Sequence, residues 1–153
     1  MLRFFLIWAW VESKTVITLS AIFDLCLDSF LVRKVLVIAP LRVARDTWPA
    51  EIHKWDHLHG LTYSVAVGTE TERKAALRQR VKWLIEESGS PFDYDMVVID
   101  ELSSFKSYQA KRFRSLLKVR PGIKRIVGLT GTPSSNGLMD LWAEFRILDM
   151  GKR

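Results

Sequence analysis

Four consecutive apolar residues, Met96-Val97-Val98-Ile99, end abruptly in two carboxylates, Asp100 and Glu101. A continuous apolar run of this length reads as a central strand of a parallel sheet, buried on both faces. In open α/β sheets ligands sit beyond the carboxyl ends of the strands, so the two acids are expected at the rim of a site. Adjacent acids there suit one job. The first can hold Mg2+, usually through a water, and the second can orient the water that attacks a phosphoryl group. The plainer alternative is that every strand must end, and that acids are soluble loop residues.

A second run, Ile126-Val127-Gly128-Leu129, repeats the pattern and ends in Thr130-Gly131-Thr132-Pro133. Small hydroxyl residues and glycine fit close to a ligand or a neighbouring loop. The two strands are expected to lie near each other, with a helix between them.

These residues resemble a known family. Asp100-Glu101-Leu102-Ser103 is similar to the Asp-Glu-x-x box of superfamily two helicases, and Leu129-Thr130-Gly131-Thr132-Pro133 to the Thr-Gly-Thr-Pro coupling motif of their Swi/Snf-type branch. Leu138-Met139-Asp140-Leu141-Trp142 and Leu148-Asp149 resemble the segment that follows in that branch. Ile38-Ala39-Pro40-Leu41 resembles the strand-to-loop motif that touches the nucleic-acid backbone. The order and spacing of these pieces make the resemblance specific from about Lys14 to the end.

The resemblance implies a three-layer α/β/α fold with a mostly parallel sheet, RecA-like and of the P-loop NTPase type. It assigns residues 14–153 to the first helicase lobe and leaves residues 1–13 as an apolar strand or arm. Family enzymes bind ATP and Mg2+ between two such lobes and couple hydrolysis to movement on duplex DNA. By resemblance Lys14 contacts the phosphates, with Ser13 beside it in the phosphate loop, and Thr15 helps hold Mg2+. Asp100 completes the metal site and Glu101 orients the attacking water. Thr130, Gly131 and Thr132 couple the nucleotide site to DNA, and Arg42 and Arg45 are candidates for backbone phosphate contacts.

One departure matters physically. The family's phosphate loop ends Gly-x-Gly-Lys-Thr, but the two glycine positions here are Val11 and Ser13. Glycine lets the backbone turn with positive φ, so that N–H groups and a helix N-terminus cradle phosphates. Val11 is β-branched and resists such angles, and Trp8 and Trp10 crowd the approach. Nucleotide binding is therefore expected to be weakened. Lys14 and Thr15 also have a plainer reading as solvated helix-start residues.

At 153 residues the chain fits one domain, and 48% apolar residues suffice for a packed core. A net charge of +6 favours an anionic partner, nucleic acid ahead of a membrane surface. The single cysteine, Cys26, excludes an internal disulfide, reads as a buried inert thiol and fits a reducing compartment. Three scattered histidines make no zinc-type cluster. The apolar start, Met1 to Val11, is shorter than the roughly 20 residues of a membrane span and lacks a convincing cleavage site. A cell interior, cytoplasmic or nuclear, is expected rather than secretion.

The rest of the chain reads in order. Val16, Leu19, Ile22, Phe23 and Leu27 recur at helical period. Val35-Leu36-Val37-Ile38-Ala39 is a second buried strand, stopped by Pro40. Trp48 to Trp55 reads as a helix with proline in its first turn, its tryptophans packing rather than stacking on bases. His53, His57 and His59 read as surface residues. Leu61 to Val67 alternates like a strand. Thr69 to Glu72 is a capping-box pattern opening a helix through Ile85. Family members generally have a further strand before the Asp-Glu box, and none is evident here. The sheet is thus expected to be one strand short, its open edge covered by the N-terminal arm, a second lobe or a second copy.

From Phe105 to Arg125 there is no acid, while Lys106, Lys111, Arg112, Arg114, Lys118, Arg120, Lys124 and Arg125 are basic. This is the clearest electrostatic footprint for DNA, although a solvated basic helix face would look the same. By its resemblance to the family the chain is read as the ATP-binding first lobe of a Swi/Snf-type DNA helicase or translocase, inactive as a motor alone. The alternative is a catalytically defective, helicase-derived module that binds DNA or a protein.

Overall fold

The computed structural model describes residues 3–8, 14–78, 94–102, 111–131 and 146–149. Four strands form one sheet: β1 (Arg3–Trp8), β2 (Val35–Ile38), β3 (Met96–Asp100) and β4 (Arg125–Thr130). All pairings are parallel and the order is β1-β4-β3-β2.

The two central strands carry the core. Met96, Val97, Val98 and Ile99 of β3 are at most 2% exposed, and Ile126, Val127 and Leu129 of β4 are at most 5% exposed. β2 is as apolar as β3 in sequence, yet it is only half-buried along its length. Among the described residues it is an edge strand, with no described neighbour on one flank to cover it. Hydropathy specifies that a strand forms; its place in the sheet decides how deeply it is covered.

Strand succession reverses within the sheet. β2, β3 and β4 follow one another across it, whereas β1 lies beyond β4. Ligand sites in open parallel sheets fall where succession reverses, outside the carboxyl ends. Here that place is the end of β1, β4 and β3.

By its contacts the chain divides into two units, one of Met1–Lys14, Val35–Ala39 and Tyr94–Arg153, the other of Thr15–Lys34 and Pro40–Asp93. The first holds the sheet, helix α4 (Lys111–Val119) and the helical residues 146–149. Besides the two central strands it buries Leu102, Leu116, Ile123, Ile147 and Leu148. The second holds the body of α1 (Lys14–Phe23), α2 (Trp48–Lys54) and α3 (Glu70–Arg78). It buries Leu19, Ile22, Val32, Trp48, Ile52 and Leu58. After Phe23 the helix widens into a π turn over Asp24–Asp28, and Cys26 there is half-buried rather than buried. No helix among the described residues is long and apolar enough to cross a membrane.

Several local readings are realised in detail. Pro49 lies in the first turn of α2, which continues directly from a π turn over Val43–Thr47. The capping box closes in both directions: the Glu72 N–H donates to Thr69 Oγ1 at 3.3 Å, and Glu72 Oε2 accepts from the Thr69 N–H at 2.7 Å. His53, His57 and His59 are exposed. Trp48 is 5% exposed, as a packing residue should be. Trp55 differs, being 38% exposed with its indole N–H donating to Glu51 at 2.7 Å.

One expected strand is absent. Residues 61–67 have no regular structure, and no described strand pairs with them. Alternation specifies which face of a strand would be buried, but a strand exists only when a neighbour accepts its ladder hydrogen bonds. The helix expected to run through Ile85 is described from Glu70 to Arg78. The rest of it, and the region where a further strand was sought, lie outside the described residues.

Candidate functional site

The register of the sheet assembles the site. Trp8 pairs with Thr130, and Asp100 pairs with Leu129. The ends of β1, β4 and β3 are therefore level to within one residue. Neighbouring strands lie about 4.8 Å apart, so Asp100 and Thr130 occupy adjacent tracks at one rim. Thr130 is fully buried, and Asp100 is half-buried as the last residue of its strand.

Lys14, the first residue of α1, reaches the same rim. It is only 7% exposed, and a methyl group in place of the Gly131 hydrogen would sit 3.6 Å from its Nζ. This overturns the plainer reading of Lys14 as a solvated helix-start residue. Burying an ammonium is costly unless polar or anionic groups meet it. Thr15 follows on α1 and is half-buried.

The chain turns sharply after β3. Glu101 has φ +56°, the left-handed region that non-glycine residues seldom enter. Its N–H donates to Asp100 Oδ1 at 3.0 Å, and its side chain is exposed. Leu102, the next residue, is fully buried. The turn thus separates the two acids, one at the strand end and one toward solvent.

Chemically, the rim offers a cation, a carboxylate, a hydroxyl and a glycine, with a second carboxylate beyond. A phosphate could be met by the first, and a hard divalent cation by the oxygens. Among the described residues no group of three or more His, Cys, Asp and Glu gathers. Mg2+ does not demand one, because it is usually held by one or two protein oxygens plus substrate phosphates.

Ser13, Thr132 and Lys106 lie outside the described residues, as do Val11 and most of the final helix expected from Leu138 to Leu148. Of that helix, residues 146–149 are described and helical.

The candidate nucleic-acid residues are more dispersed. Arg42 is exposed in the helical segment that follows β2. Arg45 is exposed too, but its Nε and Nη2 both donate to the Asp46 carboxylate at 2.8 Å. That bidentate pair holds the Asp46 carboxyl below the usual carboxylate value and raises Arg45 further. Lys111 and Arg112 lie on α4, their side chains outside the description, while Arg114 and Lys118 on the same helix are exposed.

Arg120 corrects the reading of the basic stretch as one solvent-facing footprint. It is 1% exposed. Its Nε donates to the Ile147 carbonyl at 2.6 Å, Nη1 to the Ile123 carbonyl at 3.2 Å, and Nη2 to the Leu148 carbonyl. Burial pulls its guanidinium below the ordinary arginine value, and the Asp149 carboxylate opposes that shift. Arg120 therefore joins three backbone carbonyls through one buried guanidinium. Lys124 is likewise occupied, with Nζ 3.2 Å from Asp95 Oδ1. No local signal flags Arg120, because two of the three carbonyls it meets, those of Ile147 and Leu148, are distant in sequence.

A parallel sheet of this order, with lysine opening the helix after β1 and carboxylates closing β3, defines a RecA-like α/β domain. The chain belongs to the SNF2-related domain family, whose pattern matches residues 11–152. It is 36% identical over 164 aligned positions to protein p41 of the Acyrthosiphon pisum secondary endosymbiont phage 1, covering 96% of this chain and 36% of that protein. It is 31% identical over 147 positions to helicase SWR1 of Mycosarcoma maydis, covering 85% of this chain and 8% of that one. Among solved structures it is similar to the Sulfolobus solfataricus SWI2/SNF2 ATPase core in complex with dsDNA, with a TM-score of 0.68 and 27% identity. That likeness covers 95% of this chain and 31% of the other. The chain thus spans about a third of the phage protein and of the solved core, and a smaller part of SWR1.

Proposed function

We propose that this chain is the first, ATP·Mg2+-binding lobe of a Swi/Snf-type DNA translocase and that it does not work as a motor by itself. The observation that carries the reading is the buried Lys14 ammonium beside Gly131, on the rim where Asp100 ends the neighbouring strand. Lys14 neutralises phosphate charge. Thr15 and Asp100 would hold Mg2+, a donor set of hard oxygens that suits this cation. The metal would supply charge stabilisation to a phosphoryl group in transfer. Glu101, exposed just past the strand end, accepts a hydrogen bond from the attacking water and orients it. By the family resemblance Thr130, Gly131 and Thr132 would couple nucleotide at this rim to DNA. Duplex DNA is the proposed macromolecular partner, through Arg42, Arg114 and their basic neighbours. The solved relative, an ATPase core in complex with dsDNA, supports that choice.

Val11 and Ser13 at the glycine positions of the phosphate loop argue for weak nucleotide affinity. They also favour a second reading, in which the chain binds DNA or protein but no longer hydrolyses ATP. Titrating labelled ATP with and without Mg2+, beside a duplex-DNA titration, separates the two. The first reading expects weak, Mg2+-dependent ATP binding, lost in Lys14→Ala and stripped of its Mg2+ dependence in Asp100→Asn. ATP turnover is expected near background. DNA-stimulated turnover typical of a working motor, abolished by Glu101→Gln, would overturn the proposed inactivity. DNA binding without any nucleotide binding would select the second reading.

A further inference from the structure

Gly128, in the middle of β4, is paired with Ile99. A methyl group on Gly128 would come within 2.6 Å of Leu102 Cδ2 and 3.5 Å of Leu148 Cδ2. Real methyl carbons do not approach a neighbour as closely as the first distance, so Leu102 occupies space that only glycine leaves open. Leu102 is fully buried and Leu148 is 1% exposed. At native packing density neither side chain has spare room to swing into.

The backbone accounts for how Leu102 arrives there. At Glu101 the chain enters the left-handed region, φ +56°, and reverses sharply, which carries Leu102 back over β4. Such a conformation is strained at a glutamate and persists only where the surroundings enforce it. No glycine, asparagine or aspartate stands at this position to ease the turn. The seat of Leu102 over Gly128 supplies the enforcement. The Glu101 N–H is then left aimed at Asp100 Oδ1, 3.0 Å away.

We propose that Gly128 is a positioning residue: by seating Leu102 it fixes the left-handed turn at Glu101 and so the placement of both carboxylates. This deepens the site reading above and rests on it only for its consequence in nucleotide binding. The positioning itself is read without nucleotide. A residue at positive φ holds its own amide and α protons closer together than one at negative φ, so a strong nuclear Overhauser effect between these two protons of Glu101 reports the turn directly.

The experiment uses the full chain and the variants Gly128→Ala, Leu102→Ala and the double Gly128→Ala/Leu102→Ala. The wild type shows the strong Glu101 effect. Gly128→Ala loses it while the amides of Trp48–Lys54 stay in place. The double variant, in which the crowding is removed, regains part of it. Should Gly128→Ala fail to fold, Leu102→Ala alone carries the test, because it removes the anchor without adding bulk and is expected to lose the same effect. A folded Gly128→Ala or Leu102→Ala that keeps the Glu101 effect at wild-type strength overturns the proposal. Mg2+-dependent ATP binding, measured on the same proteins, is expected to fall in Gly128→Ala and recover in part in the double variant. Absence of ATP binding in the wild type would sink the function reading while leaving the amide measurement to decide the positioning.

Discussion

Two stretches of this chain look functional in sequence for opposite electrical reasons, and the fold treats them differently. The acidic turn at Asp100–Glu101 is fixed by sheet register: β3 is buried along its length, it pairs residue by residue with β4, and its last residue must fall at the carboxyl rim. The basic stretch from Arg114 to Lys124, which ends where β4 begins, has no such frame. Arg114 and Lys118 face solvent, Arg120 is buried among carbonyls, and Lys124 is paired with Asp95. A motif at the end of a strand therefore maps to one place. A run of charge maps to solvent one residue at a time, and the helix ends and turns within it take some of its members for structural work.

The largest expected effect breaks the basic stretch apart. Arg120→Ala removes the donors to the carbonyls of Ile147, Ile123 and Leu148 and leaves a cavity. A loss of about 2–4 kcal/mol in urea unfolding is expected. Lysine should restore little of it, because a single ammonium cannot reproduce the planar fork. The comparison fails if Arg120→Ala keeps its stability and instead weakens DNA binding like a surface base.

Next comes the acidic turn. Gly128→Ala forces Leu102 off its seat, an overpacking change expected to cost about 1–3 kcal/mol. Leu116→Met, buried in the same unit, serves as a volume-conserving control expected to cost less than about 1.5 kcal/mol. Equal destabilisation by the two would mean that the Leu102 seat is no tighter than ordinary core.

Smaller still are the exposed bases. Arg114→Ala and Lys118→Ala should each leave stability within about 0.5 kcal/mol. If both contact duplex phosphates, each should reduce the salt dependence of DNA binding by about 0.9 log units. Unchanged salt slopes in both would make this face of α4 a merely solvated one.

How much of this was legible follows the same division. The central strands, the rim position of Asp100 and the helix starting at Lys14 could be read because each depends on neighbours in sequence or on an unbroken apolar run. The depth of Lys14 could not, since it is set by where the end of β4 comes to lie beside it. The same holds for Arg120, whose partners Ile147 and Leu148 are distant in sequence. Leu61–Val67 shows the converse error. Its alternation is real, but a strand also needs a partner, and alternation says nothing of one. The seat of Leu102 over Gly128 had no sequence signal beyond a glycine in a buried run, which is ambiguous between a weak strand and a close approach.

The smallest effect tests whether locality is the right explanation. The capping box at Thr69 and Glu72 is local in sequence and exposed, so it should be both readable and separable from the rest of the fold. Hydrogen bonds from the Thr69 N–H, first, and the Thr69 hydroxyl hold the Glu72 carboxyl below the usual carboxylate value. A carboxyl whose folded value lies below its unfolded one stabilises fully only above the unfolded value, near 4.3 for glutamate. That contribution fades as pH falls through the lowered folded value. In Glu72→Gln this part of the acid dependence should vanish, while the neutral side chain keeps a weaker hydrogen bond from the Thr69 N–H. Thermal unfolding of both proteins between pH 7 and pH 3 gives the comparison. The two melting curves should converge toward the acid end. A gap that stays constant with pH would mean that shape, rather than charge, is what the Glu72 side chain contributes at the start of α3.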